Sequence, residues 1–123
     1  MPEPIIICLH QPALELAEKV ASLCDGEVHG LQSRVNKIPE TFEKTKEHLR
    51  DLFQKGHPLV GICSSGILIR SLADVLSDKH TEPPVLAVAE DGSCVIPLLG
   101  GHHGANDLAR KIASGLGVVA AVT

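Results

Sequence analysis

The sequence predicts an α/β domain, a three-layer sandwich whose mixed, mostly parallel sheet has five or six strands. Three observations lead there. Short β-branched runs alternate with segments whose apolar residues recur at helical spacing. Glu90-Asp91-Gly92-Ser93 joins two of those runs with a hairpin signal, which reverses the fifth strand against the fourth. The 123 residues are 44% hydrophobic with Phe42 and Phe53 as the only aromatics, so they suit one domain, residues 1–123, around an aliphatic core.

The elements follow in order. Residues 5–9 (IIICL), bounded by Pro4 and Pro12, read as a buried strand. Ala13, Leu16, Ala17, Val20, Leu23 and Cys24 share one face of a helix that Asp25-Gly26 ends. A short strand over Glu27–Gly30 and a polar connector to Pro39 come next. Thr41–Lys55 reads as a helix with Phe42, Leu49, Leu52 and Phe53 inward, closed by Gly56. PLVGIC is the third strand, and SSG turns it into a helix through Ile67, Ile69, Leu72, Ala73 and Leu76. After the polar loop DKHTEPP, VLAVA and CVIPLL form the hairpin. Ala105, Leu108, Ala109, Ile112, Ala113 and Leu116 mark the last helix, and VVAAV a last strand. The chain stops at Thr123 without a polar tail, as a fragment of a longer chain would.

Composition narrows the partners. With no Trp or Tyr and a formal net charge of −4, the chain has neither stacking platforms nor a basic stripe, which argues against nucleic acid. No stretch suits a signal peptide or a membrane span, so the expectation is a soluble, cytoplasmic protein with no membrane partner. Cys8, Cys24, Cys63 and Cys94 form no C-x-x-C pair and read as small buried thiols in a reducing compartment. A zinc site is the weaker reading, because the seven histidines show no ligand spacing with them. Cys63 precedes a helix start that could stabilise a thiolate, but no base accompanies it.

The most informative stretch is LLGGHHGANDLARKIAS, residues 98–114. Gly100, Gly101 and Gly104 stand between a strand and a helix, where glycine permits positive φ and close approach of a ligand to the main chain. Amides of the first helical turn favour an anion, and His102 and His103 add donors that switch near neutral pH. The other reading is an ordinary turn with solvated histidines. The loop matches neither G-x-G-x-x-G nor a P-loop, which disfavours nucleotides. If the third and fourth strands are parallel, loops Lys79–Pro84 and Gly100–Asn106 lie together at one end of the sheet. Lys79, His80, His102, His103 and Asn106 then converge on a rim suited to a carboxylate-rich ligand. Ser64-Ser65-Gly66 and the hairpin fall at the opposite end. Arg70 is either an anion ligand or a solvated cation, and Glu40, Glu43 and Glu47 with Lys44 and Lys46 read as an exposed helical surface.

These residues resemble the N-terminal domain of the CbiG family of cobalamin-biosynthesis proteins. Gly66, Ile67 and Arg70 match the family's G-I-x-V-R, Lys79 and Pro83 its K-x-x-D-P, and Gly101, His102, Gly104, Ala105 and Asn106 its L-L-S-G-H-x-G-G-A-N. The likeness runs in order over about residues 60–123, with residues 1–59 similar only in general pattern. Glu82, Asp74 and Ala89 depart from it, and the glycine loop is one residue shorter. That shorter GGHHGAN form resembles the version fused ahead of a CobJ-type precorrin-3B methyltransferase, which would use S-adenosylmethionine.

The resemblance implies a role in making the corrin ring, by hydrolytic opening of a precorrin lactone with release of acetaldehyde. This domain would need no cofactor and no metal. His102 is then the candidate acid or base, or a helix cap or carboxylate ligand. Gly100, Gly101, His103, Gly104, Asn106, Lys79 and Arg70 are the candidate substrate contacts. The implied partners are a precorrin intermediate and a downstream methyltransferase domain, with a homodimer left open. The second reading is a non-catalytic binding or assembly module for that methyltransferase.

Overall fold

The computed structural model describes residues 2–123. Strand β1 (Ile5–Cys8) leads through a 3-10 turn at Gln11–Ala13 into α1 (Leu14–Cys24), then β2 (Glu27–Leu31) and β3 (Thr41–Phe42). Helix α2 (Thr45–Gln54), β4 (Leu59–Ile62) and α3 (Ser65–Leu72) follow. The hairpin β5 (Val85–Val88) and β6 (Val95–Leu99) then leads through a 3-10 turn at Gly101–His103 into α4 (Ala105–Leu116).

The six strands form one sheet in the order β3-β2-β1-β4-β5-β6. Neighbours from β3 to β5 pair in parallel and β6 runs antiparallel to β5. The reversal expected from Glu90–Ser93 is present. Ala89 N–H donates to the Cys94 carbonyl at 3.0 Å, and Gly92 turns with φ +76°. The Asp91 carboxylate accepts from the Ser93 hydroxyl at 2.6 Å and its amide at 3.0 Å. Those two bonds hold Asp91 below its ordinary pKa.

Alternation along each strand sends side chains to opposite faces, and helices cover both. On one face α1 and α4 pack over Ile6, Cys8, Val60, Ile62, Leu86 and Val88. On the other, α2 and α3 pack over Ile5, Ile7, Leu59, Val85 and Ala87. The result is the expected three-layer sandwich with an aliphatic core. Helix α1 ends where Asp25 adopts the left-handed conformation, and α4 ends on Gly117 at φ +73°.

Three expected elements differ. The helix expected over Thr41–Lys55 begins at Thr45, and Thr41–Phe42 form a two-residue edge strand paired with Gly30 and Leu31. Phe42 is buried as expected, but from the sheet. Helix α3 stops at Leu72, followed by a 3-10 turn to Val75. Ile69 and Leu76 are exposed, whereas Leu68 is fully buried.

The expected last strand VVAAV reduces to one parallel bridge between Val95 and Ala120, with Ala121 N–H donating to the Val95 carbonyl at 2.8 Å. In a parallel ladder alternate residues of one strand serve the neighbour, so the next donor on β6 would be position 97. That residue is proline and has no N–H, so the pairing ends.

Candidate functional site

The glycine-rich loop is shaped by backbone that only glycine takes easily. Gly100 and Gly104, at φ +75° and +102°, flank the 3-10 turn Gly101–His103 and deliver the chain into α4. The Gly100 carbonyl accepts from His103 N–H at 2.8 Å and Ala105 N–H at 3.1 Å. Two amides expected to face an anion are therefore engaged within the loop. His102 is exposed, while His103 and Asn106 are half-buried. The Asn106 amide group lies beside Gly101, its nitrogen 3.5 Å from where a Cβ at 101 would stand.

The two loops expected to meet do meet. A Cβ on Gly100 would stand 2.8 Å from the Pro83 carbonyl oxygen and 2.9 Å from Pro84 Cα. The parallel strand β5 begins just after Pro84, and Leu99 at the end of β6 pairs with its first residue, Val85. Asp78 shapes the turn that carries Lys79 and His80: its carboxylate accepts from the His80 amide at 2.9 Å and its carbonyl from the Thr81 amide at 3.1 Å. Lys79 and His80 are both exposed on this loop.

Arg70 stands apart. Its guanidinium folds back over Gly66, whose Cβ would lie 3.0 Å from it. That places it at the start of α3, beyond the carboxyl ends of the parallel strands. Four-residue strands separate the two ends by about 13 Å. Arg70 thus does not share one small-ligand site with His102.

The hairpin with Glu90 lies at that end, as expected, whereas His10 went unrecognised there. Between β1 and β4 the chain turns to opposite faces, α1 on one and α3 on the other. This is the topological switch point at which open α/β sheets offer a crevice. Beside it His10 Nδ1 lies 3.4 Å from Glu90 Oε2, both half-exposed. The position of both residues just after strand ends was the available signal.

Cys8, Cys24 and Cys63 are buried thiols, as expected, whereas Cys94 in the hairpin is only half-buried. Burial raises the pKa of Cys8 and Cys24, and pushes Cys63 up to about 11. A thiol held protonated in this way is a poor nucleophile, which disposes of the Cys63 thiolate.

A third grouping was also missed. Glu27, His29 and Glu40 bring one ligand atom each to within 4.8 Å of one another. Glu40, read from the sequence as helix surface, instead precedes β3, its carbonyl accepting from Gly30 N–H at 3.0 Å. The signal was Glu-x-His in a strand, which puts both side chains on one face.

Comparison with known proteins narrows the assignment. The profile of the family described as "Cobalamin synthesis G N-terminal" matches residues 47–123. A cobalt-precorrin-5A hydrolase from Priestia megaterium is 41% identical over 69 residues, 55% of this chain and 18% of that protein. Its counterpart from Salmonella typhimurium is 40% identical over 75 residues, 60% of this chain and 21% of that protein. The chain thus spans only about a fifth of the length of these two relatives. Among solved structures, a cobalamin biosynthesis protein G homologue from Sulfolobus solfataricus aligns with 98% of this chain and 36% of its own, at TM-score 0.74 and 20% identity, so the fold is shared. With a match over residues 47–123, which include the glycine loop, the chain belongs to the cobalamin synthesis G N-terminal family.

Proposed function

We propose that this domain binds a carboxylate-rich precorrin and serves its hydrolytic lactone opening in cobalamin synthesis, with His102 at the reacting group. One observation carries the reading. Contact of Gly100 with Pro83 and Pro84 joins the loop of His102, His103 and Asn106 to the loop of Lys79. Imidazole, amide and ammonium donors at one sheet end suit a ligand bearing several carboxylates. An exposed imidazole there can take a proton from water or give one to a leaving oxygen. The relatives named for cobalt-precorrin-5A hydrolysis support the substrate class. The domain itself needs no nucleotide or redox cofactor for a hydrolysis.

A second reading makes the domain a binding or assembly module within a longer protein, including one with an S-adenosylmethionine-dependent methyltransferase. The observation that favours it is apolar: Ile69, 52% exposed, and Leu76, 38% exposed, flank a groove with Leu68, Leu72, Val85, Leu98 and Leu99. His102→Asn separates the two. Incubated with cobalt-precorrin-5A, the full-length protein releases acetaldehyde under the first reading, and the variant loses that release by about 100-fold while still binding. Binding by the domain, with release unaltered by His102→Asn and by replacement of the other loop donors, establishes the second reading. Unaltered release in the variant removes His102 from the chemistry.

A further inference from the structure

We propose that Glu27, His29 and Glu40 form a binding site for a divalent transition-metal ion, with His48 orienting the His29 ring. The site lies away from the glycine loop, at the sheet edge built by β2 and β3. Register produces it. Glu27 and His29 are alternate residues of β2 and face the same side. Since Gly30 pairs with Thr41, Glu40 is the lateral neighbour of His29. Ile7, which pairs with His29, belongs to the core beneath α2, and α2 brings His48 over the same face.

The distances suit an ion. His29 Nε2 lies 3.2 Å from Glu27 Oε1. Metal–ligand bonds of about 2.0–2.1 Å place ligand atoms about 3.3 Å apart around a tetrahedral centre. Glu40 is exposed, so its carboxylate is free to close the remaining gap, and solvent reaches the site. One imidazole with two carboxylates favours zinc and its transition-metal neighbours over calcium or magnesium, and three ligands leave positions open to water.

The outer contacts are those of a metal-binding histidine. His29 Nδ1 lies 2.8 Å from His48 Nε2. Phe42 stacks on the His48 ring, with centroids 4.5 Å apart and planes 9° from parallel. One proton lies between the two rings. When His48 supplies it, His29 carries its own proton on Nε2 and donates to Glu27, so the empty site is satisfied. When a cation takes Nε2, that proton leaves, the shared proton moves to His29 Nδ1, and His48 is reprotonated on Nδ1. Both rings stay neutral and both switch tautomer. A backing hydrogen bond of this kind fixes ring orientation and raises ligand basicity.

Calorimetric titration of the untagged chain with Zn²⁺, together with ¹⁵N NMR of the histidine rings, tests the site. The expected result is one Zn²⁺ per chain, with the protonated nitrogen of His29 changing from Nε2 to Nδ1. Glu27→Gln and the exposed Glu40→Gln weaken binding about tenfold or more, and His48→Gln weakens it about tenfold. His102→Gln/His103→Gln leaves it unchanged. Absence of stoichiometric binding overturns the proposal. So does binding lost with His102 and His103 but retained in Glu27→Gln and Glu40→Gln, or a His29 ring that keeps its tautomer. None of these outcomes bears on the corrinoid reading.

Discussion

Cys63 sits at the end of β4, 5% exposed and against Leu68 and the β4 backbone. Burial raises its pKa from an ordinary 9.0 to about 11. Between those values the unfolded chain has lost a proton that the native chain keeps. Stability therefore falls as pH rises from 9 to 11, and the loss from this one thiol amounts to about 2–3 kcal/mol. Urea unfolding in reductant at pH 8 and pH 10.5 measures it, with Cys63→Ala showing a smaller fall than the parent. Alkylation at pH 8 is the companion measurement, in which half-buried Cys94 reacts well before Cys63. Equal rates at the two cysteines would contradict the assigned burial. The buried apolar position of this residue was legible from VGICSS alone. The pairing of His29 with His48 was not, because it depends on a helix crossing a strand 19 residues away.

The elements that sequence reasoning located are those with a strong period or a strong punctuation mark. Helix α4 begins at Ala105 because Gly104 stops the preceding turn, and the hairpin follows from Asp91-Gly92. The start of α2 carried no such mark. Lys44 at its N-cap contributes no side-chain hydrogen bond, and a two-residue strand at Thr41–Phe42 is too short for alternation to show. The C-terminal strand failed for a different reason. Its own residues suit a strand, and the obstacle is Pro97 on its partner. Replacing Pro97 with Ala supplies the missing donor opposite Ala121. The new amide at position 97 is expected to exchange with deuterium at least about tenfold more slowly than an open peptide, as a protected edge bond does. Exchange at the open-peptide rate would show that something other than the missing N–H ends the ladder.

At the scale of the whole molecule, one sheet offers functional groups at three places. The glycine loop and the Lys79 loop meet where the parallel strands begin. Arg70, His10 and Glu90 lie where those strands end, and Glu27, His29 and Glu40 lie at the edge formed by β2 and β3. The family pattern was legible because its elements fall on residues 60–123, within the matched stretch of 47–123. Strand order placed Gly66 at the end opposite the glycine loop, but did not reveal that Arg70 stays at that end by folding its guanidinium back over Gly66. The proposed function rests on the loop end taking a polycarboxylate tetrapyrrole. Absorbance titration of the chain with cobalt-precorrin-5A, run beside ATP and NAD, tests it most directly. Saturable binding of the precorrin is expected, weakened about tenfold by Lys79→Ala as one charge-assisted contact is lost, unchanged by Arg70→Ala, and at least about tenfold tighter than either nucleotide. Nucleotide binding equal to or tighter than that of the precorrin would contradict it.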